Sequence, residues 1–135
     1  MSQENVEAFR GAIEAYNRRD IDAFLKIFDP MVETRPLTLA MFGQEASMYR
    51  GHEGIRQFIR DVDEVLPEMQ VEPLEIRDLG ERIVARGRLH ARGRASGAEI
   101  ESPVSWLVDF KNGRVIRMRD YLDFTEALEA AGLSE

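Results

Sequence analysis

A carboxylate set into an apolar wall can take or give a proton near neutral pH, and Asp120 is the residue whose neighbours point to that chemistry. The other chemically able side chains are few. There is no cysteine, which excludes thiol nucleophiles, disulfides and Cys-based zinc sites. The two histidines, His52 and His90, lack metal-ligand spacing, and no metal or cofactor is implied. His52 belongs to a Gly-His-Glu-Gly helix entrance, where helix-start geometry accounts for it and a hydrogen bond at a pocket rim is the alternative. His90 falls on the expected outer sheet face. Only a one-residue bulge near Ala91 would bring it inside.

The case for Asp120 rests on which way two hairpins face. A two-residue turn at Ser96-Gly97 sets Arg94 opposite Glu99, Arg92 opposite Glu101, Leu89 opposite Val104 and Gly87 opposite Trp106. One face then carries Ala85, Gly87, Leu89, Ala91, Ser102, Val104, Trp106 and Val108, and the other Arg86, Arg88, His90, Arg92 and Arg94. The next hairpin, at Lys111-Asn112-Gly113, has two forms. A two-residue Asn-Gly turn turns Arg117 and Arg119 towards Trp106. A three-residue loop turns Ile116, Met118, Asp120 and Leu122 there instead, because strand side chains alternate. Burying two arginines costs more than burying one carboxyl, so the three-residue loop is the expected form.

Asp120 then faces the apolar side, where loss of hydration raises its pKa. Two readings follow: a general acid or base, or a carboxylate that caps backbone groups or pairs with an arginine at the strand end. Tyr16 is either core or a hydroxyl that reaches the same pocket. Thr34 and Ser102 are candidate hydrogen-bonding groups. Val104, Trp106, Met118 and Leu122 are candidate lining, with Met41, Phe42 and Met48 as adaptable additions.

These strands need elements to hold them. A first helix runs from about Glu4 to Arg18 with Val6, Phe9, Ile13 and Tyr16 on one face. Asp20 caps a short second helix, which Asp29-Pro30 ends, and Met31 to Leu37 reads as a strand. Thr38 to Arg50 reads as a loop over something apolar. A third helix opens at Gly51 and turns Ile55, Phe58, Ile59, Val62 and Leu66 inward. Strands fill Val71 to Leu122, and Asp123 with Glu126 starts a last helix that Gly132 stops. Helices, then strands, then a helix is an α+β arrangement, and 135 residues suit a single domain spanning 1–135.

A net charge of −7 argues against nucleic acid, which demands a cationic surface, and against an anionic membrane surface. The interleaved arginines of 86–94 read as a solvated or dimer-facing stripe. The polar start, Met1-Ser2-Gln3-Glu4-Asn5, is unlike a secretory signal, so the cytoplasm is the expected compartment.

Three stretches carry a family resemblance: Asp20-Ile21-Asp22-Ala23-Phe24 into Asp29-Pro30, Tyr49-Arg50-Gly51-His52-Glu53-Gly54-Ile55, and Asn112-Gly113-Arg114-Val115 through Tyr121-Leu122-Asp123 and Glu126 to Leu133. Together they resemble the SnoaL-like family of the nuclear-transport-factor-2-like, or ketosteroid-isomerase-like, superfamily. The resemblance implies a cone: a curved antiparallel sheet wrapped around N-terminal helices, with a C-terminal closing helix. It also implies a pocket for a hydrophobic small molecule at the open end and a homodimer through the convex face. Family enzymes include polyketide cyclases, ketosteroid isomerases and limonene epoxide hydrolases.

The segment Met118-Arg119-Asp120-Tyr121-Leu122-Asp123 is similar to the last-strand motif that holds an acidic catalytic residue in cyclases and the epoxide hydrolase, with Asp120 at that position. The other epoxide-hydrolase groups have no match: its arginine and second aspartate fall at Gly87 and Leu89, its tyrosine and asparagine at Val32 and Thr34. The isomerase base falls at Thr34 and its tyrosine at about Ala12. Proton abstraction from a hydrophobic carbonyl compound, with Asp120 as general base in a cyclase, isomerase or lyase reaction, is the enzymatic expectation. A non-catalytic binder of an apolar ligand, or a dimeric interaction domain with a residual pocket, is the alternative.

Overall fold

The computed structural model of the chain describes residues 2–40 and 47–133. Helix α1 (Ser2–Arg18) buries Phe9, Ala12, Ile13 and Tyr16 at helical spacing,. Asp20 caps α2 (Ile21–Lys26), its carboxylate accepting from the Ala23 N–H at 3.2 Å. The chain passes straight into β1 (Phe28–Arg35), which begins and ends earlier than the Met31 to Leu37 expected. Pro30 is tolerated inside it because the pairing with the neighbouring strand is irregular between Phe28 and Glu33, so the missing N–H is not demanded there.

Part of the expected loop at 38–50, including Met41 and Phe42, lies outside the described residues. Thr38 and Leu39 are buried and Met48 is exposed. There follow β2 (Tyr49–Arg50), α3 (Gly51–Val65), β3 (Gln70–Asp78), β4 (Arg82–Arg92), β5 (Glu99–Lys111), β6 (Arg114–Tyr121) and α4 (Phe124–Ala130). The strands make one sheet in the order β2-β1-β6-β5-β4-β3. Among the described residues every pairing is antiparallel except β1 with β6, which is parallel.

The α+β architecture is therefore as the sequence suggests. The inner sheet face meets α1 and α3 in the main core, where Phe9, Ile59, Ile83, Trp106 and Val108 are all buried. Asp123 caps α4, accepting from Thr125 N at 2.9 Å. That helix lies on the outer face, where Ala127 and Leu128 cover Val84 and Leu107. The Arg77 and Arg86 guanidiniums flank its Phe124 ring at 5.2 and 6.0 Å, a cation–π clasp on a half-buried aromatic.

The first hairpin differs in register from its expected form. Arg92 pairs with Glu99, His90 with Glu101, Gly87 with Val104 and Ala85 with Trp106, two residues away from the Ser96-Gly97 two-residue turn. The connection is longer, closed by Gly93 N–H to Ala98 O at 2.9 Å and Gly97 N–H to Gly93 O at 2.8 Å. Arg94 leaves the sheet and donates to the Glu64 and Asp63 carbonyls at 3.0 and 3.1 Å, where it satisfies the exposed end of α3. An even shift keeps every side chain on its face. His90 accordingly stays outside, between Glu72 at 3.1 Å and Glu101 at 3.5 Å.

The second hairpin also departs from its expected form. Asn112 and Gly113 have φ of 52° and 78° and form the two-residue turn between Lys111 and Arg114, the left-handed pair that a type I′ turn requires. Alone, that turn would send the two arginines inward. A bulge reverses the outcome: Phe110 faces Val115 but Asp109 faces Arg117, leaving Ile116 as the extra residue,. Beyond it Met118 lies opposite Val108 and Asp120 opposite Trp106, so both point inward. Ile116 and Leu122 do not line the inner wall as expected. Ile116 is the bulge residue, and Leu122, past the strand end, is 47% exposed.

Gly87 sits where no side chain fits. A Cβ there would collide with the Glu72 carbonyl oxygen of β3 and stand 3.0 Å from the indole of Trp106. Gly87→Ala should lower stability by about 1–3 kcal/mol, the usual cost of overpacking, read as a fall in urea midpoint. An unchanged midpoint would mean that β3 can move away without loss.

Candidate functional site

The inner sheet face and the helices leave one apolar cavity of about 80 Å³. Phe9, Ala12, Ile13 and Tyr16 come to it from α1, Phe24 from α2, Phe58 from α3, and Val104, Trp106, Met118 and Asp120 from β5 and β6. Helical spacing turns the α1 residues onto one stripe, and strand alternation does the same for those of the sheet. Thr34, Pro36 and Thr38 form the side next to Asp120, since Thr34 runs parallel beside Met118. Rings brace one another around the space: Phe9 meets Trp106 edge-on at 5.4 Å, and Phe24 meets Phe28 edge-on at 4.8 Å, arrangements favoured by ring quadrupoles.

Six of the sequence-derived site residues therefore surround one space: Tyr16, Thr34, Val104, Trp106, Met118 and Asp120. Two do not. Ser102 lies nearer the start of β5, half-buried, where its hydroxyl donates to the Pro103 carbonyl at 3.1 Å, and Leu122 is solvent-facing. Ser102 has the right strand parity, but on β5 the lining stops at Val104, although Leu89 opposite Ser102 contributes to it. Pro36, Thr38 and Phe58 were not singled out as pocket residues in the sequence. Pro36 and Thr38 lie in an irregular segment where no period marks which side chain faces in. Phe58 follows the inward stripe of α3, and a stripe does not tell core from pocket lining.

Among the described residues, three buried side-chain polar atoms have no hydrogen-bond partner: Tyr16 Oη, Asp120 Oδ1 and Arg119 Nε. The first two belong to residues of this cavity. Buried polar atoms are almost always paired, so two such atoms on one apolar space suggest a site built for a ligand. Asp120 as a whole is half-buried, yet its Oδ1 is sealed. Its Oδ2 accepts from the Leu37 backbone N–H at 3.3 Å. No described arginine or lysine forms an ion pair with Asp120. Burial pushes its carboxyl up from 3.8 to about 7, opposed only by the Leu37 hydrogen bond. Burial likewise pushes the Tyr16 hydroxyl to about 12, against the Arg19 guanidinium that lies 4.3 Å over its ring and with the Asp63 carboxylate adding to the rise. The rise keeps the Tyr16 hydroxyl neutral, whereas that at Asp120 brings its carboxyl close to neutral pH.

Neither histidine joins the site. His52 Nε2 bonds the Phe28 carbonyl at 2.8 Å, tying the start of α3 to β1. No cluster of three or more His, Cys, Asp or Glu suited to a metal occurs among the described residues, and none of their helices is long and apolar enough to cross a membrane.

The raised Asp120 pKa has a defined effect on stability. Between pH 4 and 7 the folded chain holds a proton on Asp120 that the unfolded chain has released, so this group makes stability fall as pH rises through that window and adds no further slope above it. The difference in unfolding free energy between the parent chain and Asp120→Asn should therefore slope with pH by at most about 1.4 kcal/mol per unit, and flatten above about pH 7. A flat difference from pH 4 upward would show an ordinary, solvated carboxylate.

Comparison with known proteins agrees with this fold. The SnoaL-like domain model matches residues 9–118. An NTF2-like protein of unknown function from Burkholderia pseudomallei is 28% identical, with 93% of this chain and 95% of that one covered at a TM-score of 0.79. TerC, solved with polyporic acid, is 27% identical, with 93% and 96% covered at 0.78. A hypothetical protein of ketosteroid isomerase-like fold from Catenulispora acidiphila, solved with trimethylamine, is 13% identical with 94% and 93% covered at 0.75, a likeness of fold alone. No curated protein matches the sequence.

Proposed function

The chain belongs to the SnoaL-like domain family, and on that premise we propose that its cavity holds a small, apolar carbonyl compound from which Asp120 takes a proton. The observation that carries this reading is the Asp120 carboxyl itself, set among apolar side chains with one oxygen unbonded and a pKa raised to about 7. A base of that strength is half ionised at neutral pH, the condition under which general base catalysis works best. In the proposed step the ionised Oδ1 removes a proton from a carbon next to the carbonyl. The electron pair of that C–H bond moves onto the carbonyl oxygen, and the protonated Asp120 returns the proton at another carbon. The neutral Tyr16 hydroxyl is the donor proposed for the oxygen that gains charge. Thr34, Val104, Trp106 and Met118 shape the space. TerC, 27% identical and crystallised with polyporic acid, supports a small-molecule reading of this chain.

At about 80 Å³ the cavity is well below the ~300 Å³ of a drug-sized site. That limits the substrate to a few heavy atoms beyond the carbonyl. It also favours a second reading, an interaction domain that dimerises through the outer sheet face and keeps only a residual pocket. Ligand binding separates the two.

Asp120→Asn removes the base while keeping shape and polarity. With small ketones as substrates, exchange of their α-hydrogens for deuterium, followed by NMR, should be catalysed by the parent chain and fall 10²- to 10⁴-fold in the variant. Equal rates in both, with the variant folded by circular dichroism, would remove Asp120 from the mechanism. A parent chain that binds no ketone and sediments as a dimer would favour the interaction domain.

A further inference from the structure

The cavity contains one ionisable group able to carry a negative charge near neutrality, and its described lining includes no lysine, arginine or histidine. Its other polar side chains are neutral: the hydroxyls of Tyr16, Thr34 and Thr38 and the indole of Trp106, an N–H donor,. Proton abstraction next to a carbonyl builds negative charge on the substrate oxygen, and in a low-dielectric space that charge is costly without a counter-charge. Neutral donors give charge-assisted hydrogen bonds to that oxygen, but they bring no counter-charge of their own.

The aromatic content of the wall suits a counter-charge of one kind. Phe9, Tyr16, Phe24, Phe28, Phe58 and Trp106 all line this space, and aromatic rings with a carboxylate form the environment that attracts a diffuse organic cation. Such a cation is weakly hydrated, so entering an apolar cavity costs it less than it would a compact ammonium. A small inorganic cation has no cluster of ligands here.

We infer that the substrate itself brings the positive charge: a compact carbonyl compound bearing an alkylated ammonium group beside the carbon that loses its proton. This rests on the reading of the cavity as a proton-transfer site and narrows its substrate class. The ammonium group pairs with ionised Asp120 on entry and so holds the base in its working form. As the proton moves to Oδ1, Asp120 becomes neutral and the same positive charge faces the new enolate oxygen. Net charge within the cavity is unchanged throughout the step. No side chain has to move to compensate.

Tetramethylammonium is the probe, since it has no proton of its own to lose, and tert-butanol is the neutral control of similar bulk. Among the described lining residues, Tyr16 is the other titratable group, and at about 12 it stays neutral over the range used. Binding is followed by NMR shifts of Trp106 and the Met118 methyl. Tetramethylammonium should bind about tenfold tighter at pH 8 than at pH 6, following ionisation of a carboxyl near 7. The same pH dependence should vanish in Asp120→Asn, while tert-butanol binds both forms equally at either pH. If tert-butanol binds but tetramethylammonium binds no tighter, or without pH dependence, the cationic substrate is overturned and the pocket reading stands. If neither enters, both fall together.

Discussion

The bulge at Ile116 determines what the inner wall of this protein can do. The Asn112-Gly113 turn sets a register in which β6 would present Arg117 and Arg119 to the core, and one surplus residue reverses it. The preference is energetic. Two guanidiniums inside a wall of Trp106, Val104 and Leu89 would have to be stripped of water with no carboxylate to meet them. A methionine and one carboxyl can enter, because a carboxyl can shed its charge by taking a proton. The raised pKa of Asp120 is the remaining trace of that burial.

How far the sequence reveals this arrangement depends on parity. In the β4–β5 hairpin the structure lies two residues from the Ser96-Gly97 register, yet Gly87, Leu89, Val104 and Trp106 keep their faces because two is even. In the β5–β6 hairpin the turn differs from the expected loop by one residue and the bulge adds one back. The inward face of Met118 and Asp120 emerges from the desolvation argument, while the device that produces it does not. Bulges leave little mark in a lone sequence. What could be weighed was the cost of burying each alternative set of side chains, and that cost decides the outcome whichever backbone route achieves it.

The same logic explains which site residues are legible. Tyr16, Val104, Trp106 and Met118 lie within regular elements, where a period assigns each a direction. Thr34 is held by its place beside Met118 in the parallel pairing of β1 with β6, a neighbour that alternation alone could not supply. Leu122 and Ser102 share the correct parity but do not line the cavity, and parity says nothing about which inward side chains border a pocket. Pro36, Thr38 and the Leu37 N–H that holds Asp120 come from a segment without a period. Their role is tertiary, set by the parallel meeting of β1 and β6.

That meeting links the fold to its chemistry. Because β1 runs parallel to β6, its end delivers the Leu37 N–H to Asp120 Oδ2, and this bond occupies one carboxyl oxygen while leaving Oδ1 free. A carboxyl with both oxygens satisfied would be structural. One with neither satisfied would have no fixed direction and a still higher pKa. Here a single backbone donor orients the group and moderates its basicity, and apolar side chains supply the rest of the rise. The cavity thus holds a carboxyl aimed by the backbone and tuned by burial, and its described lining offers no lysine, arginine or histidine to balance a charge on it.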